Sequence, residues 1–256
     1  MATLLIGGNG LVGTRLVRHL AEMGEQVIVY SGHAPAARVD GCVYYQGDVT
    51  EYGTLNQVLH EHPVDRIIHP KLFLDNPYRI YRTNVTGTLV SMEAARNFGV
   101  QRYIYISSGA VYGSVSLDTV PETVPLHGES PYGASKVACE ELVRNYGLDS
   151  ASLRVGFVDG PGRKLECPIQ LLLNGCIRNG SVHLEHGAEQ MMDYIYVDDC
   201  VDAIATIAMA KKLPHTEYNI GGGENVPYSR VIACVQKLYP NATIQVGSGT
   251  LGYDNL

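Results

Sequence analysis

Tyr132 and Lys136 stand four residues apart in the stretch Pro131-Tyr132-Gly133-Ala134-Ser135-Lys136. On a helix that spacing puts both side chains on one face. An ammonium group beside a phenol stabilises the phenolate, so the pair can exchange a proton nearer neutral pH than a free tyrosine would. A five-residue pattern recurs by chance, so the reading turns on whether the rest of the chain assembles a site around it. Ser108 is the first candidate partner: the apolar run Arg102–Ile106 reads as a strand that ends in Ser107-Ser108, and the helix carrying Tyr132 begins after the loop that leaves it.

The elements before Ser108 point to a nucleotide site. The short apolar run Thr3–Ile6 leads directly into Gly7-Gly8-Asn9-Gly10-Leu11-Val12-Gly13, then a helical pattern to Met23, a stop at Gly24 and a second strand, Val27–Tyr30. Strand, glycine loop, helix and strand within about thirty residues is the context such a loop needs to bind a dinucleotide. Gly7 permits the tight turn, Gly10 lets a pyrophosphate approach the backbone, and Gly13 lets the helix lie close to the sheet. The helix N-terminus then offers free N–H groups to the phosphates. An acid at the end of the second strand would bind a ribose 2′-hydroxyl and repel a 2′-phosphate. Here Ser31-Gly32-His33 stands there with Arg38 nearby, so NADP is admitted and slightly favoured over NAD. Val43–Gln46 reads as a third strand, followed by Gly47-Asp48-Val49-Thr50, in which Asp48 either accepts from an adenine amino group or caps the next helix. Val64–His69 is a fourth strand, and a helix through Val85, Leu89, Val90 and Met92 runs to Phe98 before Gly99. Alternating strands and helices of this kind give an α/β fold with a Rossmann-type, doubly wound parallel sheet, its site at the carboxyl ends of the strands.

Composition narrows the function classes. The 256 residues are 45% apolar and 18% charged, which suits a globular chain with a sizeable core. A formal net charge of −7 argues against nucleic acid or an anionic membrane as main partner, no apolar run is long enough to span a bilayer, and Ala2–Ile6 reads as a buried strand rather than a leader. The six cysteines lack any Cys-x-x-Cys pair and read as reduced core residues of a cytoplasmic protein without zinc. Asp198, Asp199 and Asp202 read as the first turn of a helix running to Lys211, where carboxylates suit the dipole. His183 and His186 have no third ligand at a recognisable spacing, so no metal site is expected.

Taken in order, these pieces resemble the extended short-chain dehydrogenase/reductases, in particular the nucleotide-sugar epimerase/dehydratase branch. The similarity runs from Leu4 to about Gly223 through Gly7-x-x-Gly10-x-x-Gly13, Gly47-Asp48-Val49-Thr50, Asn84-Val85-Thr86-Gly87-Thr88, Ser107-Ser108-Gly109-Ala110-Val111-Tyr112-Gly113, Tyr132-x-x-x-Lys136, Leu153-Arg154 with Gly160-Pro161-Gly162, Asp193-Tyr194-Ile195-Tyr196-Val197-Asp198-Asp199 and Tyr218-Asn219-Ile220-Gly221-Gly222-Gly223. The resemblance implies that Tyr132 is the acid/base, that Lys136 lowers its pKa and binds the nicotinamide ribose, and that Ser108, rather than Ser107, holds the reacting oxygen. It implies NAD(P) contacts from Gly7, Gly10, Leu11, Val12, Gly13, Ser31, His33, Asp48, Val49, His69 and Asn84, with Asn84 either catalytic or bonding a neighbouring backbone. It further implies a Rossmann domain over 1–165 with 190–215 returning to it, a substrate lobe mostly within 166–256, and a homodimer formed through the helix Asn84–Phe98 and the helix after Tyr132.

The substrate end departs from that pattern. Dehydratases of the branch carry an Asp-Glu pair after the active hydroxyl, where this chain has Gly109 and Ala110, which disfavours sugar dehydration. Lys71, an unusual cation, follows the fourth strand. Phe157 replaces a common asparagine, and Met192 replaces the arginine that clamps a nucleotide diphosphate, leaving Arg163, Lys164 or Arg178 as substitutes. With Ser108 and Gly109, Lys71 and Phe157 are the candidate substrate contacts. The chain ends at Leu256, so the lobe reads as small and shortened. The leading expectation is an epimerase acting on a small-molecule sugar or sugar nucleotide. The alternatives are an NADP(H)-dependent ketoreductase or alcohol dehydrogenase on a smaller, non-nucleotide substrate and, last, a non-catalytic dinucleotide sensor.

Overall fold

The structure, a computed structural model, describes residues 2–70, 76–117, 119–163 and 167–251. Lys71 and Lys164 lie outside the described residues. In chain order the first part consists of β1 (Ala2–Ile6), α1 (Leu11–Glu22), β2 (Gln26–Ser31), β3 (Val43–Gln46), α2 (Tyr52–Glu61), β4 (Arg66–His69), α3 (Pro77–Ile80), α4 (Gly87–Asn97), β5 (Arg102–Ser108), α5 (Pro131–Asn145) and β6 (Asp149–Val155). There follow β7 (Phe157–Asp159), α6 (Pro168–Asn179), β8 (Ser181–Leu184), β9 (Met191–Tyr196), α7 (Val197–Met209), β10 (Glu217–Ile220), β11 (Asn225–Pro227), α8 (Tyr228–Leu238) and β12 (Thr243–Val246).

Seven strands form one sheet in the order β10-β6-β5-β4-β1-β2-β3, and every pairing in it is parallel. Both faces of this sheet are covered, which is why β1 and β2 are continuous apolar runs rather than alternating ones. Successive side chains go to opposite faces. Leu4, Ile6, Ile28, Tyr30, Tyr103 and Tyr105 join α2, α4 and α5 in one core. Leu5, Val27, Val29, Ile104 and Ile106 join α1 and α7 in the other. A third apolar cluster gathers Leu172, Cys176, Val182, Tyr228 and Val235 from the later elements, beside the small sheets β11-β9-β7 and β12-β8.

Two helices differ from their sequence reading. The helix expected from Asn84 begins earlier, at Pro77 with Asn76 accepting from the Arg79 N–H, passes through a π-helical stretch at Tyr81–Thr86, and continues as α4 to Asn97. A wide turn of this kind has no hydrophobic period that announces it. The helix holding Asp198 and Asp199 in its first turn stops at Met209, short of Lys211. Its acids also pair with α1: Asp198 lies 2.8 Å from Arg15 and Asp202 3.5 Å from His19. No group of three or more metal-ligating side chains occurs among the described residues, and none of their helices is long and apolar enough to cross a membrane.

The close approach of α1 to the sheet rests on Gly13, as expected, and also on Gly8. A Cβ on Gly8 would meet Val29 Cγ1 at 2.8 Å and Val17 Cγ2 at 3.3 Å, whereas one on Gly13 would meet Gly8 Cα at 2.7 Å and the Gly7 carbonyl oxygen at 2.8 Å. Overpacking a tight core costs about 1–3 kcal/mol. Gly8→Ala should therefore lower the melting temperature by several degrees in a thermal scan; an unchanged melting temperature would contradict this packing.

Candidate functional site

The strand order reverses direction of growth between β1 and β4, and crevices at the carboxyl ends of such strands accept ligands. The glycine loop sits at this point. Gly7 takes φ +92°, a left-handed conformation that favours glycine, and its N–H donates to the Tyr30 carbonyl at 2.7 Å. Gly10 is the N-cap of α1 with extended backbone, and no side chain caps the helix. A Cβ on Gly10 would meet no atom closer than the Gly7 carbonyl oxygen at 3.7 Å, so the space before Leu11 and Val12 is open. Asn9, which the sequence reading passed over, donates through Nδ2 to the His33 carbonyl and ties the loop to the end of β2.

A cavity of ≈ 570 Å³ opens beside the loop, lined by Gly7, Ser31, His33, Asp48, Val49, Arg79 and Thr83 among others. Ser31 and His33 thus stand where the sequence placed them. Asp48 Oδ1 accepts from the Thr50 N–H at 3.0 Å, and its Oδ2 lies 3.7 Å from Arg82; it does not cap α2, whose N-cap is Glu51. The uncapped helix end, the glycine cradle and this cavity fit the diphosphate and adenosine parts of a dinucleotide.

At the other end of the crevice, Ser130 caps α5 by accepting from the Gly133 N–H at 3.0 Å. A Cβ on Gly133 would stand 2.5 Å from the Ala110 carbonyl oxygen, so glycine next to Tyr132 lets the helix press against the Gly109–Val111 turn that follows β5. This contact brings Tyr132 and Ser108 together, near enough for the Ser108 hydroxyl to act on the phenol, and Ser108 Oγ accepts from the Ala110 N–H at 3.2 Å. Lys136 is 1% exposed. Its Nζ donates to the Ile106 carbonyl at 2.7 Å and lies 4.6 Å from the Tyr105 ring centre and 5.8 Å from that of Tyr132. Ser107 faces elsewhere, donating to Glu140 Oε1 at 2.6 Å.

In the protein alone, burial pushes the Tyr132 phenol above its ordinary pKa, with Ser108 acting in the opposite direction. Burial lowers Lys136 to about 8, against the opposing pull of Cys139 and Glu140.

The remaining candidates are placed more deeply than the sequence suggested. Asn84 is buried in the π-helical stretch and donates to Ser135 Oγ at 3.2 Å, a side-chain partner on α5 rather than the neighbouring backbone. His69 is buried, with Nδ1 2.7 Å from the Tyr103 hydroxyl and 3.3 Å from Ser91 Oγ. Gly109 is buried within its turn. The Phe157 ring meets Tyr194 edge-on at 5.5 Å and lies under the Arg163 guanidinium at 4.7 Å. Met192 is buried in β9. One site-adjacent charge escaped the sequence reading, Glu140, four residues beyond Lys136 on α5; its partner Arg154 was named there only as part of a motif, without a role. The signal was a lone arginine in the otherwise uncharged run Ser150–Val155.

A doubly wound sheet with a glycine cradle at one end of its crevice and a Tyr–Ser–Lys group at the other defines a dinucleotide-binding enzyme class. Residues 3–221 match the NAD dependent epimerase/dehydratase family, and the chain belongs to that family. It is 32% identical over 178 residues to a UDP-glucose 4-epimerase of Lacticaseibacillus casei, an alignment that takes in 62% of this chain and 52% of that protein. It is 27% identical over 265 residues to a dTDP-glucose 4,6-dehydratase of Xanthomonas campestris pv. campestris, covering 92% of this chain and 75% of that one. The match thus spans about half the length of the first relative and three quarters of the second. Among solved structures, a UDP-glucose 4-epimerase of Thermotoga maritima with UDP-glucose superimposes with a TM-score of 0.85 at 26% identity, over 99% of this chain and 90% of that one. Epimerases and dehydratases both occur among the relatives.

The buried lysine makes a stability prediction. Unfolded, Lys136 holds its proton up to a pKa of about 10.4; folded, only to about 8. Between those values the unfolded chain binds the extra proton, so raising the pH through that window favours the folded wild type. Lys136→Met removes a buried charge and should melt several degrees above the wild type near neutral pH, with the gap narrowing from about pH 8 to about pH 10. A variant that melts lower at neutral pH would contradict the assignment.

Proposed function

We propose that the protein is an NAD(P)-dependent epimerase that acts on an alcohol carbon of a sugar or sugar nucleotide by transient oxidation and re-reduction. The observation that carries this reading is the packing of α5 on the turn after Ser108, which sets Tyr132 beside that serine with Lys136 Nζ 5.8 Å from the Tyr132 ring centre. Bound in the crevice, a nicotinamide dinucleotide would supply the hydride chemistry. Tyr132 then takes the substrate hydroxyl proton in the oxidative direction and gives it back in the reductive one. Ser108 orients the oxygen, and Lys136 stabilises the phenolate that appears between the two steps. The phenol's raised pKa in the protein alone suits the donor half of this cycle.

Gly109 and Ala110 support epimerisation over water loss. They are buried, carry no acid, and occupy the places where dehydratases of this branch hold their Asp-Glu pair. Ser31 and His33 at the adenosine cavity present no carboxylate to a 2′-phosphate, which favours NADP slightly over NAD. Phe157 and Gly109 are proposed to border the substrate, and the segments within 166–256 to contribute most of its lobe. A second reading, an NADP(H)-dependent ketoreductase on a smaller substrate, draws on Met192, whose burial in β9 leaves no cation there for a diphosphate. The free cysteines suit a reducing, cytoplasmic setting. A homodimer through α4 and α5 is favoured by Leu89, 43% exposed, in an apolar hollow with Val90, Tyr52 and Tyr146.

Incubation with UDP-glucose and sub-stoichiometric cofactor should interconvert the sugar without net change in reduced cofactor; stoichiometric cofactor consumption with a ketone would favour the reductase. Tyr132→Phe should keep cofactor affinity and lose about 10²–10⁴ in turnover. Near-normal turnover would sink the proposed role of Tyr132.

A further inference from the structure

Arg154 brings a charge into the sheet, and the structure shows where it goes. Its Nη2 lies 2.8 Å from Glu140 Oε2, and its Nε lies 3.1 Å from Oε1. The two side chains are 2% and 1% exposed. Arg154 Nη1 donates to the Tyr112 hydroxyl at 2.7 Å and to the Glu122 carbonyl at 2.8 Å. The Tyr112 hydroxyl in turn donates to Asn219 Oδ1 at 2.7 Å, and Asn219 Nδ2 donates to the Val120 carbonyl at 2.6 Å. From the other side, the Ser107 hydroxyl donates to the Glu140 carboxylate.

One guanidinium therefore ties together the helix that bears Tyr132, the turn that follows the strand bearing Ser108, and the middle of the loop between them. Apolar side chains could fill this space with comparable stability. What they lack is direction: a forked pair fixes both planes at once. Glu140 follows Lys136 by one turn and Tyr132 by two on the same helix, so any slide or roll of α5 that moved Tyr132 from Ser108 would also strain the Glu140 bonds to Arg154 and Ser107.

We propose that Glu140 and Arg154 are positioning residues: their buried pair, with Ser107 as a strut, sets α5 against the end of β5 so that the Tyr132 hydroxyl meets Ser108. The proposal rests on reading Tyr132 and Ser108 as the reacting pair. Neither positioning residue touches the crevice in this account; both act through the helix and the strand.

The test uses the full chain labelled with ¹³Cζ-tyrosine, the Tyr132 resonance being assigned from its loss in Tyr132→Phe. Ser107→Ala removes the strut and leaves the ion pair; Glu140→Gln and Arg154→Lys remove the charge and the fork. Arg144→Ala, on the exposed side of α5, is the control. Ser107→Ala and Glu140→Gln should shift the Tyr132 resonance, keep NAD affinity by calorimetry within about twofold, and lower kcat on UDP-glucose at least tenfold with KM little changed; Arg144→Ala should change none of these. A purely structural role would lower the melting temperature and leave the Tyr132 resonance in place, which overturns the proposal. Should the charge variants fail to fold, the Ser107→Ala resonance decides alone. Should the wild type turn over no sugar, the functional reading fails while the resonance still decides the clamp.

Discussion

Burying one ammonium group constrains the rest of this molecule. Lys136 has almost no contact with solvent, so protein groups must replace its water: the Ile106 carbonyl accepts its hydrogen bond, and the face of Tyr105 lies beneath it. Both groups belong to β5, so α5 has to run against that strand. It can do so only because Gly133 clears the Ala110 carbonyl at the helix entrance. The same approach that solvates the ammonium places Tyr132 on Ser108. Stability is given up for this arrangement, as the lowered pKa of Lys136 records.

The second half of the crevice is built from different materials. Where α5 works through side chains, the glycine loop works through backbone: a left-handed Gly7, an uncapped α1 and two glycines whose Cβ atoms would collide with the loop or the sheet. The sheet order joins the halves, since β1 and β4 are neighbours and β5 follows β4. Charges at the margins hold the frame, with Arg15 reaching both Asp198 on α7 and the Pro161 carbonyl.

What the sequence made legible follows from periodicity and chain order. Buried parallel strands are unbroken apolar runs, the glycine loop lies between a strand and a helix, and Tyr132 and Lys136 share a face because helices repeat every 3.6 residues. Features that depend on contacts across elements were not legible. Glu140 and Arg154 are joined only when a helix packs on a sheet; Gly8 looks interchangeable with Gly13 until the neighbours of each are known. His69 reads as a crevice residue at a strand end, yet its ring is engaged by Tyr103 and Ser91 beneath. The burial that raises the Tyr132 pKa in the protein alone likewise depends on packing across elements. Substrate identity stays the least legible, since Met192 and Phe157 depart from the family pattern and Lys71 falls outside the described residues.

The central claim is that the reacting carbon loses and regains its own hydrogen while Tyr132 handles the hydroxyl proton. The most direct measurement is isotopic: UDP-glucose deuterated at the epimerised carbon, turned over in ordinary water and examined by mass spectrometry. The account predicts that the product keeps the deuterium at that carbon. Loss of the label to solvent would contradict it, because it would mean that the carbon exchanges a proton rather than a hydride.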